Sequence, residues 1–407
     1  MILNIKTIIK TMKILNKNID ELVEYKNNAK KHPKQQIDLL AKNIEKFGFT
    51  TPILIDKNNE IIAGHGRLLA LKQLGKTEAP CVLIDYLNEE EIKALRLADN
   101  KVAELGEWDM SLVLPELKGL SDEMLDLTGF DKDLIIEADE KDDEVPETPI
   151  EPKTKLGDLY EIGKHRLLVG DSTDMSFVEK LMNGMKADMV FTDPPYGIDY
   201  SGGRTKVVEK KDYGKLKNDD LIGDELGNLI INTFIFNKSD ADVYICVSPI
   251  MQTPFLKFLE KNNKEVDAVI VWDKKNAGLG SMAYRRQTEF ILFVKGAPFK
   301  MGDKSDFDLW SIGRDIGINY KHGTQKPVEL PIRAIQNSSK ADDIVLDLFL
   351  GSGSTLIACE KINRICYGME LDPRFADVII QRYMDYVDNP KIIKNGIDET
   401  NLWQKKI

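Results

Sequence analysis

Asp193-Pro194-Pro195-Tyr196 brings a carboxylate, a rigid backbone carbonyl and an aromatic ring into four residues. Proline fixes φ and removes a backbone donor, so this turn presents acceptors and does not continue as helix or central strand. Two acceptors beside a stacking ring suit a flat base bearing an exocyclic NH2. An ordinary Pro-Pro turn after a strand would have the same residues, and the rest of the chain must separate the two readings. A second set lies far downstream, at Leu350-Gly351-Ser352-Gly353-Ser354-Thr355. Its glycines let a ligand press against bare backbone. Glu370 stands 19 residues beyond Gly351, close to the ~20-residue spacing at which an acid meets ribose hydroxyls in Rossmann-type sites. Thr355 and Leu356 occupy the places where a third glycine would be sought, and no lysine follows at P-loop spacing. A nucleoside ligand without a pyrophosphate, such as S-adenosylmethionine, fits these features.

Both sets need strands to hold them. Residues 187–192 form a short apolar run that predicts a buried strand, with the Asp-Pro-Pro-Tyr turn at its C-terminal end. Residues 344–349 predict a second strand feeding the glycine turn and a helix over 356–361, and residues 365–369 a third strand ending in Glu370. Ligands of open α/β sheets bind in the crevice outside such strand ends.

The chain has 407 residues, 42% hydrophobic and 30% charged, which points to two or three globular domains. No apolar run approaches the ~18 residues of a membrane span. The first fifteen residues are broken by Lys6, Lys10 and Lys13 and make a poor signal peptide. Cys81, Cys246, Cys359 and Cys366 have no CxxC spacing and read as reduced core residues of a cytoplasmic protein. The net charge of −11 argues at first against a nucleic-acid partner. However, residues 137–151 carry eight acids against the single Lys141, so the rest of the chain is close to neutral. Local basic patches then matter more than the total. With Pro146, Pro149 and Pro152, this acidic run predicts a solvated linker between two modules.

In the first module, Ile37, Leu40, Ala41, Ile44 and Phe47 recur at helical spacing, and Gly48 stands where a helix-ending glycine belongs. Strands are predicted at Pro52–Asp56 and Cys81–Ile84, with Gly64-His65-Gly66-Arg67 opening a helix between them. From about Asn28 to Ile84 this arrangement resembles the ParB/sulfiredoxin-like domain. Sulfiredoxins have a cysteine in the Gly64–Arg67 box, where this chain has His65-Gly66, so reductase activity is not implied. ParB proteins bind nucleotide phosphates there. Gly64, His65 and Arg67 are therefore candidates for a nucleotide or phosphate site, although the box lacks the Arg-rich ParB form and would serve equally as a structural turn.

The two downstream motifs together closely resemble the DNA amino-methyltransferases, in the β-class order with the catalytic motif first. The resemblance runs from about Leu156 to Tyr386. It includes His165–Asp171, Ala283–Val294 and His322-Gly323-Thr324-Gln325-Lys326-Pro327 in the expected sequence order. It implies catalysis by Asp193, Pro194, Pro195 and Tyr196, with S-adenosylmethionine held by Asp171, Lys326, Asp347, Phe349, Gly351, Ser352, Gly353, Thr355 and Glu370. Double-stranded DNA is the implied partner, with the target base flipped out. The implied fold is a Rossmann-like doubly wound α/β methyltransferase domain, preceded by a small α+β ParB-like domain. The Asp of the motif favours adenine N6, with cytosine N4 the alternative. None of the four cysteines has the context needed for cytosine-carbon methylation. Arg204, Lys206, Lys210, Lys211 and Lys215 form a basic stretch suited to DNA phosphates, or simply a solvated loop.

The expected division is an extension at 1–11, a ParB-like domain at 12–105, a helical connector at 106–136, an acidic linker at 137–155, a catalytic domain at 156–390 and a tail at 391–407. Only a short insert, between Pro298 and Lys321, stands where β-class enzymes keep their target-recognition domain. A homodimer and an N-terminal nucleotide are compatible with this reading. The competing class is a nucleotide-dependent, partition-like DNA-binding protein with a scaffold methyltransferase half, and an RNA methyltransferase is a third.

Overall fold

The computed structural model describes residues 14–103, 105, 106, 108, 110–195, 224–275, 284, 285, 287–296, 306–313 and 325–404. Tyr196, the basic stretch Arg204–Lys215, the N-terminal extension and most of the short insert lie outside the described residues. The chain separates into two compact units at Lys132/Asp133.

The smaller unit is built on β1 (Ile14–Asn18), α1 (Lys34–Phe47), β2 (Ile53–Ile55), β3 (Ile61–Ala63), α2 (His65–Gln73), β4 (Glu78–Leu83), α3 (Glu89–Ala103), α4 (Met110–Lys118) and α5 (Asp122–Thr128). Its four strands lie in the order β1-β4-β2-β3, and Ile53, Ile55, Ile61, Leu68, Leu71 and Cys81 fill its core. Helix α1 stops at Gly48, whose φ of +79° an L side chain resists, and the Gly48 N–H donates to Ile44 O. The helices expected as a connector belong to this unit. Asn43 Nδ2 donates to Leu127 O at 3.1 Å, and Lys46 pairs with Glu123 at 2.7 Å.

The larger unit comprises β5 (Leu159–Ile162), β6 (His165–Val169), α6 (Met175–Met182), β7 (Ala187–Thr192), α7 (Asp224–Ile235), β8 (Asn237–Val247), α8 (Gln252–Lys261), β9 (Ala268–Asp273), β10 (Thr288–Val294), β11 (Leu309–Ser311), α9 (Glu329–Ser338), β12 (Ile344–Asp347), α10 (Ser354–Lys361), β13 (Ile365–Glu370), α11 (Pro373–Tyr386), β14 (Ile392–Lys394), β15 (Ile397–Asp398) and α12 (Thr400–Trp403). One sheet takes the order β11-β9-β10-β8-β7-β12-β13-β6-β5-β14-β15. Its centre, β8-β7-β12-β13-β6, is parallel.

Central parallel strands are covered on both faces, which explains their apolar runs. Met189 and Val345 face one core with residues of α9, α10 and α11, while Val190 and Leu346 face the other with residues of α6, α7 and α8. This is the expected doubly wound α/β architecture. In sheet order β7 lies next to β8 on one side, and β12 lies next to β13 on the other. Successive strands thus go to opposite sides of the β7/β12 pair, the arrangement that opens a crevice at the carboxyl ends of such strands.

Two further expectations are corrected. Residues 391–407 are no tail: Ile392 pairs with Ile162 in the sheet, and Trp403 is buried against Tyr160. Elements of two to four residues are too short to leave a readable period. Nor is the acidic run solvated throughout. Ile150 is 96% exposed, but Asp142 is only 1% exposed and Val145 is buried. The cations that hold Asp142, Lys361 at its carboxylate and Arg382 at its carbonyl, lie more than two hundred residues away in sequence, beyond the reach of a compositional reading.

Candidate active site

The end of β7 carries Thr192, buried, and then Asp193 and the two prolines. Thr192 Oγ1 donates to Asp347 Oδ1 at 3.0 Å, across 155 residues of sequence. The same carboxylate accepts from Phe349 N at 3.0 Å and, through Oδ2, from Thr355 Oγ1 at 2.7 Å. Burial pushes the Asp347 carboxyl up to about 6, against the pull of these donors. Asp347 thus ties the strand bearing Asp193 to the strand and helix on either side of the glycine turn. Its oxygens serve that joint, and with it Thr355 and the Phe349 backbone.

The turn between β12 and α10 runs through positive φ at Gly351 (+54°) and Gly353 (+87°). The Leu350 N–H donates to Met369 O and the Gly353 N–H to Leu350 O. A Cβ built on Gly351 would meet no atom within 4 Å, so the backbone there borders open space, whereas one on Gly353 would press against Ile379. Glu370, at the end of β13, accepts from Gly351 N at 2.9 Å and from Asp372 N at 2.8 Å. Burial raises its carboxyl to about 7. On the neighbouring strand end, Asp171 accepts from the N–H and hydroxyl of Thr173, and the Gly170 N–H donates to Glu370 O. Asp171, Glu370 and Gly351 therefore gather at adjoining strand ends. Ser352 contributes its carbonyl, which accepts from Arg382 Nη1 at 2.8 Å.

Lys326 enters from a separate segment. Its Nζ lies 2.6 Å from Asp193 Oδ2 and 3.4 Å from Glu289 Oε2, and its carbonyl accepts from Ser354 Oγ at 2.7 Å. Burial alone would lower the ammonium's pKa. Asp193 and Glu289 outweigh it and hold the group above its ordinary value. Lys274 pairs with the other oxygen of Glu289 at 3.1 Å. Acids and lysines thus alternate along Asp193, Lys326, Glu289 and Lys274. Sequence reasoning assigned no role to Glu289 or Lys274. The available signal was the single acid of strand β10, which is otherwise apolar after its first residue. Among the described residues no cluster of His, Cys, Asp and Glu is arranged to hold a metal.

These groups suit a nucleoside with hydroxyl and amino donors. The half-buried carboxylates of Asp193, Asp171 and Glu370 can accept, and the open flank of Gly351 leaves room for a flat or ring-bearing ligand. Gly64, His65 and Arg67 belong to the smaller unit. There they border a cavity of about 620 Å³ whose wall also holds Lys30, Lys93 and Arg96. Gly64 enters α2 at φ +107°, and His65 Nε2 accepts from Tyr25 N at 3.3 Å. Among the described residues no helix is long and apolar enough to cross a membrane.

Known proteins echo both halves. Residues 187–382 match the family model of DNA methylases, and residues 6–101 that of the ParB N-terminal domain. The chain is 27% identical over 218 residues to the type II methyltransferase M2.MboI of Moraxella bovis, covering 48% of this chain and 80% of that protein. It is 39% identical over 80 residues to the ParB-like nuclease domain-containing protein YnaK of Escherichia coli, covering 20% of this chain and 92% of that protein. A crystal structure of an M1.HpyAVI–SAM complex is similar at 25% identity and a TM-score of 0.41, over 53% of this chain and 97% of that one.

Proposed function

The chain belongs to the ParB-like domain family through its N-terminal unit and to the N6/N4 DNA methylases through its larger one, and from that premise we propose that it methylates the exocyclic N6 amine of adenine in double-stranded DNA. The observation that carries this reading is the joint between Thr192 and Asp347. It sets the Asp-Pro-Pro turn beside the glycine turn at the carboxyl ends of adjacent parallel strands.

The amine of an aromatic base is a weak nucleophile because its lone pair is delocalised into the ring. In this reading the Asp193 carboxylate and the Pro194 carbonyl accept its two N–H bonds. Nitrogen then pyramidalises, with its lone pair directed away from the acceptors. Tyr196 stacks on the flipped base. Lys326 fixes the Asp193 carboxylate through Oδ2, and fixed dipoles replace the reorganising water that the base would meet in solution. S-adenosylmethionine, when bound, supplies the electrophilic methyl group. Glu370 would accept from its ribose hydroxyls, Asp171 would border its adenine, and the bare backbone of Gly351 and Gly353 would allow close approach. Arg204, Lys206, Lys210, Lys211 and Lys215 supply phosphate contacts.

Expression in a methylation-deficient host, followed by modified-base sequencing, tests this directly. N6-methyladenine in one sequence context is the expected result. N4-methylcytosine would overturn the choice of base, and unmodified DNA, with no tritiated methyl transfer by the purified chain, would overturn the activity.

The cation-lined cavity of the smaller unit favours a second, independent reading, in which that unit binds a nucleotide. Its phosphates would meet the N-terminus of α2 and Arg67. Titration of the full chain with CTP and ATP, beside Arg67→Ala, decides this. Binding that survives the substitution unchanged would remove Arg67 from the site.

A further inference from the structure

We propose that the acidic segment Asp139–Asp143 is a working part of the methyltransferase site, with Asp143 the positioning residue that sets the Lys326 loop. This rests on the reading of the larger unit given above. Three attachments define it.

The first is an anchor. Lys361 of α10 pairs with Asp139 at 3.1 Å and with buried Asp142 at 2.7 Å. Asp142 Oδ2 also accepts from the Asp139 N–H, which closes the segment into a tight turn. The second attachment reaches the glycine turn. Arg382 donates through Nη2 to Asp142 O at 2.6 Å and through Nη1 to Ser352 O at 2.8 Å. One guanidinium thereby bridges the acidic segment and the turn between β12 and α10, in the fixed fork geometry that arginine provides. The third attachment flanks Lys326 itself. Gln325 Nε2 donates to Asp143 O at 2.8 Å, and the Val328 N–H, at the start of α9, donates to Asp143 Oδ1 at 2.8 Å. A carboxylate at that end of a helix is favoured both as a hydrogen-bond acceptor and by the helix dipole.

Residues on both sides of Lys326 are thus held by one aspartate, while Ser354 holds its carbonyl. Its side chain runs to Asp193 and Glu289. A charged run that composition assigns to solvent instead grips the two elements, glycine turn and lysine loop, that the proposed cofactor must meet.

The test is S-adenosylhomocysteine titration of the full chain by calorimetry, with KM and kcat for methyl transfer, at a temperature where circular dichroism shows every variant folded. Asp143→Ala should weaken binding and raise the S-adenosylmethionine KM by about tenfold, as expected when a positioning contact is lost. DNA affinity should stay as in the wild type. Asp143→Asn, which keeps an oxygen for the Val328 N–H, should recover most of the loss. Gln325→Met, which removes the other contact, should act in the same direction as Asp143→Ala and serves if that variant fails to fold. Wild-type affinity in both Asp143→Ala and Gln325→Met overturns the proposal alone. A wild-type chain that binds no S-adenosylhomocysteine overturns the underlying reading and this proposal with it.

Discussion

The Lys326 ammonium lies between two carboxylates, 2.6 Å from Asp193 and 3.4 Å from Glu289. The three residues come from the end of β7, the start of β10 and the segment before α9. Their meeting makes the charge state of the site a property of the whole fold. Neither acid is balanced by a neighbour in sequence.

Replacing that cation should therefore cost stability as well as rate. Lys326→Met takes a 2.6 Å cationic partner from the mostly buried Asp193 carboxylate, while Glu289 keeps Lys274. Breaking a buried pair costs about 3 kcal/mol or more, and the low end applies because Asp193 is 26% exposed. Calorimetry should show a lower melting temperature than for the wild type, with Lys326→Arg recovering part of it. An unchanged melting temperature for Lys326→Met would mean that the triad contributes little.

Asp193→Ala separates chemistry from binding. Lys326 keeps Glu289 as a partner, so the site should remain assembled and bind S-adenosylmethionine. Methyl transfer should fall by roughly a thousandfold, the scale seen when a preorganised polar partner of the reacting group is removed. Turnover near the wild-type rate would exclude Asp193 as the acceptor that orients the amine.

The sequence made the local parts of this site legible. A strand run into Asp-Pro-Pro, a strand into Gly-Ser-Gly and an acid at the next strand's end are patterns of a few adjacent residues, and β7, β12 and β13 lie side by side in the sheet. Contacts between distant segments were not legible. No motif announces that the Lys326 ammonium pairs with Asp193, or that the Asp347 oxygens hold Thr192, Phe349 and Thr355. The acidic run misled for the same reason. Charge density is visible along a chain, while Lys361 and the Val328 N–H that receive it, and Arg382 that holds the Asp142 carbonyl, are brought up only by folding.

Glu370 predicts a pH dependence with a definite sign. Burial raises its carboxyl from 4.5 to about 7 in the folded chain. A group raised on folding contributes stability that is complete below its unfolded pKa and is lost as pH climbs through the folded one. Asp347, raised from 3.8 to about 6, acts in the same direction. The ligand-free protein should lose stability between about pH 4 and 7, and Glu370→Gln should flatten the upper part of that slope. Ribose hydroxyls favour the ionised carboxylate, so S-adenosylhomocysteine affinity should rise with pH up to about 7 and then level off. If the affinity of Glu370→Gln follows the wild-type pH profile, Glu370 is not the ribose acceptor.

Two glycines should respond differently to the same added methyl group. At Gly351, where φ is +54° and a Cβ would border open space, alanine adds only backbone strain of about 1 kcal/mol to the free protein. That methyl group would stand where the ligand is proposed to approach, so S-adenosylhomocysteine affinity should drop about tenfold or more, a loss on the scale of a displaced binding contact. At Gly368, on β13, a Cβ would overlap the Leu350 side chain at the head of the same turn. Overpacking there costs about 1–3 kcal/mol, so Gly368→Ala should lower the melting temperature more than Gly351→Ala does. Thermal unfolding with and without S-adenosylhomocysteine reads both effects. A Gly351→Ala protein stabilised by the ligand as strongly as the wild type would place the cofactor elsewhere than against this turn.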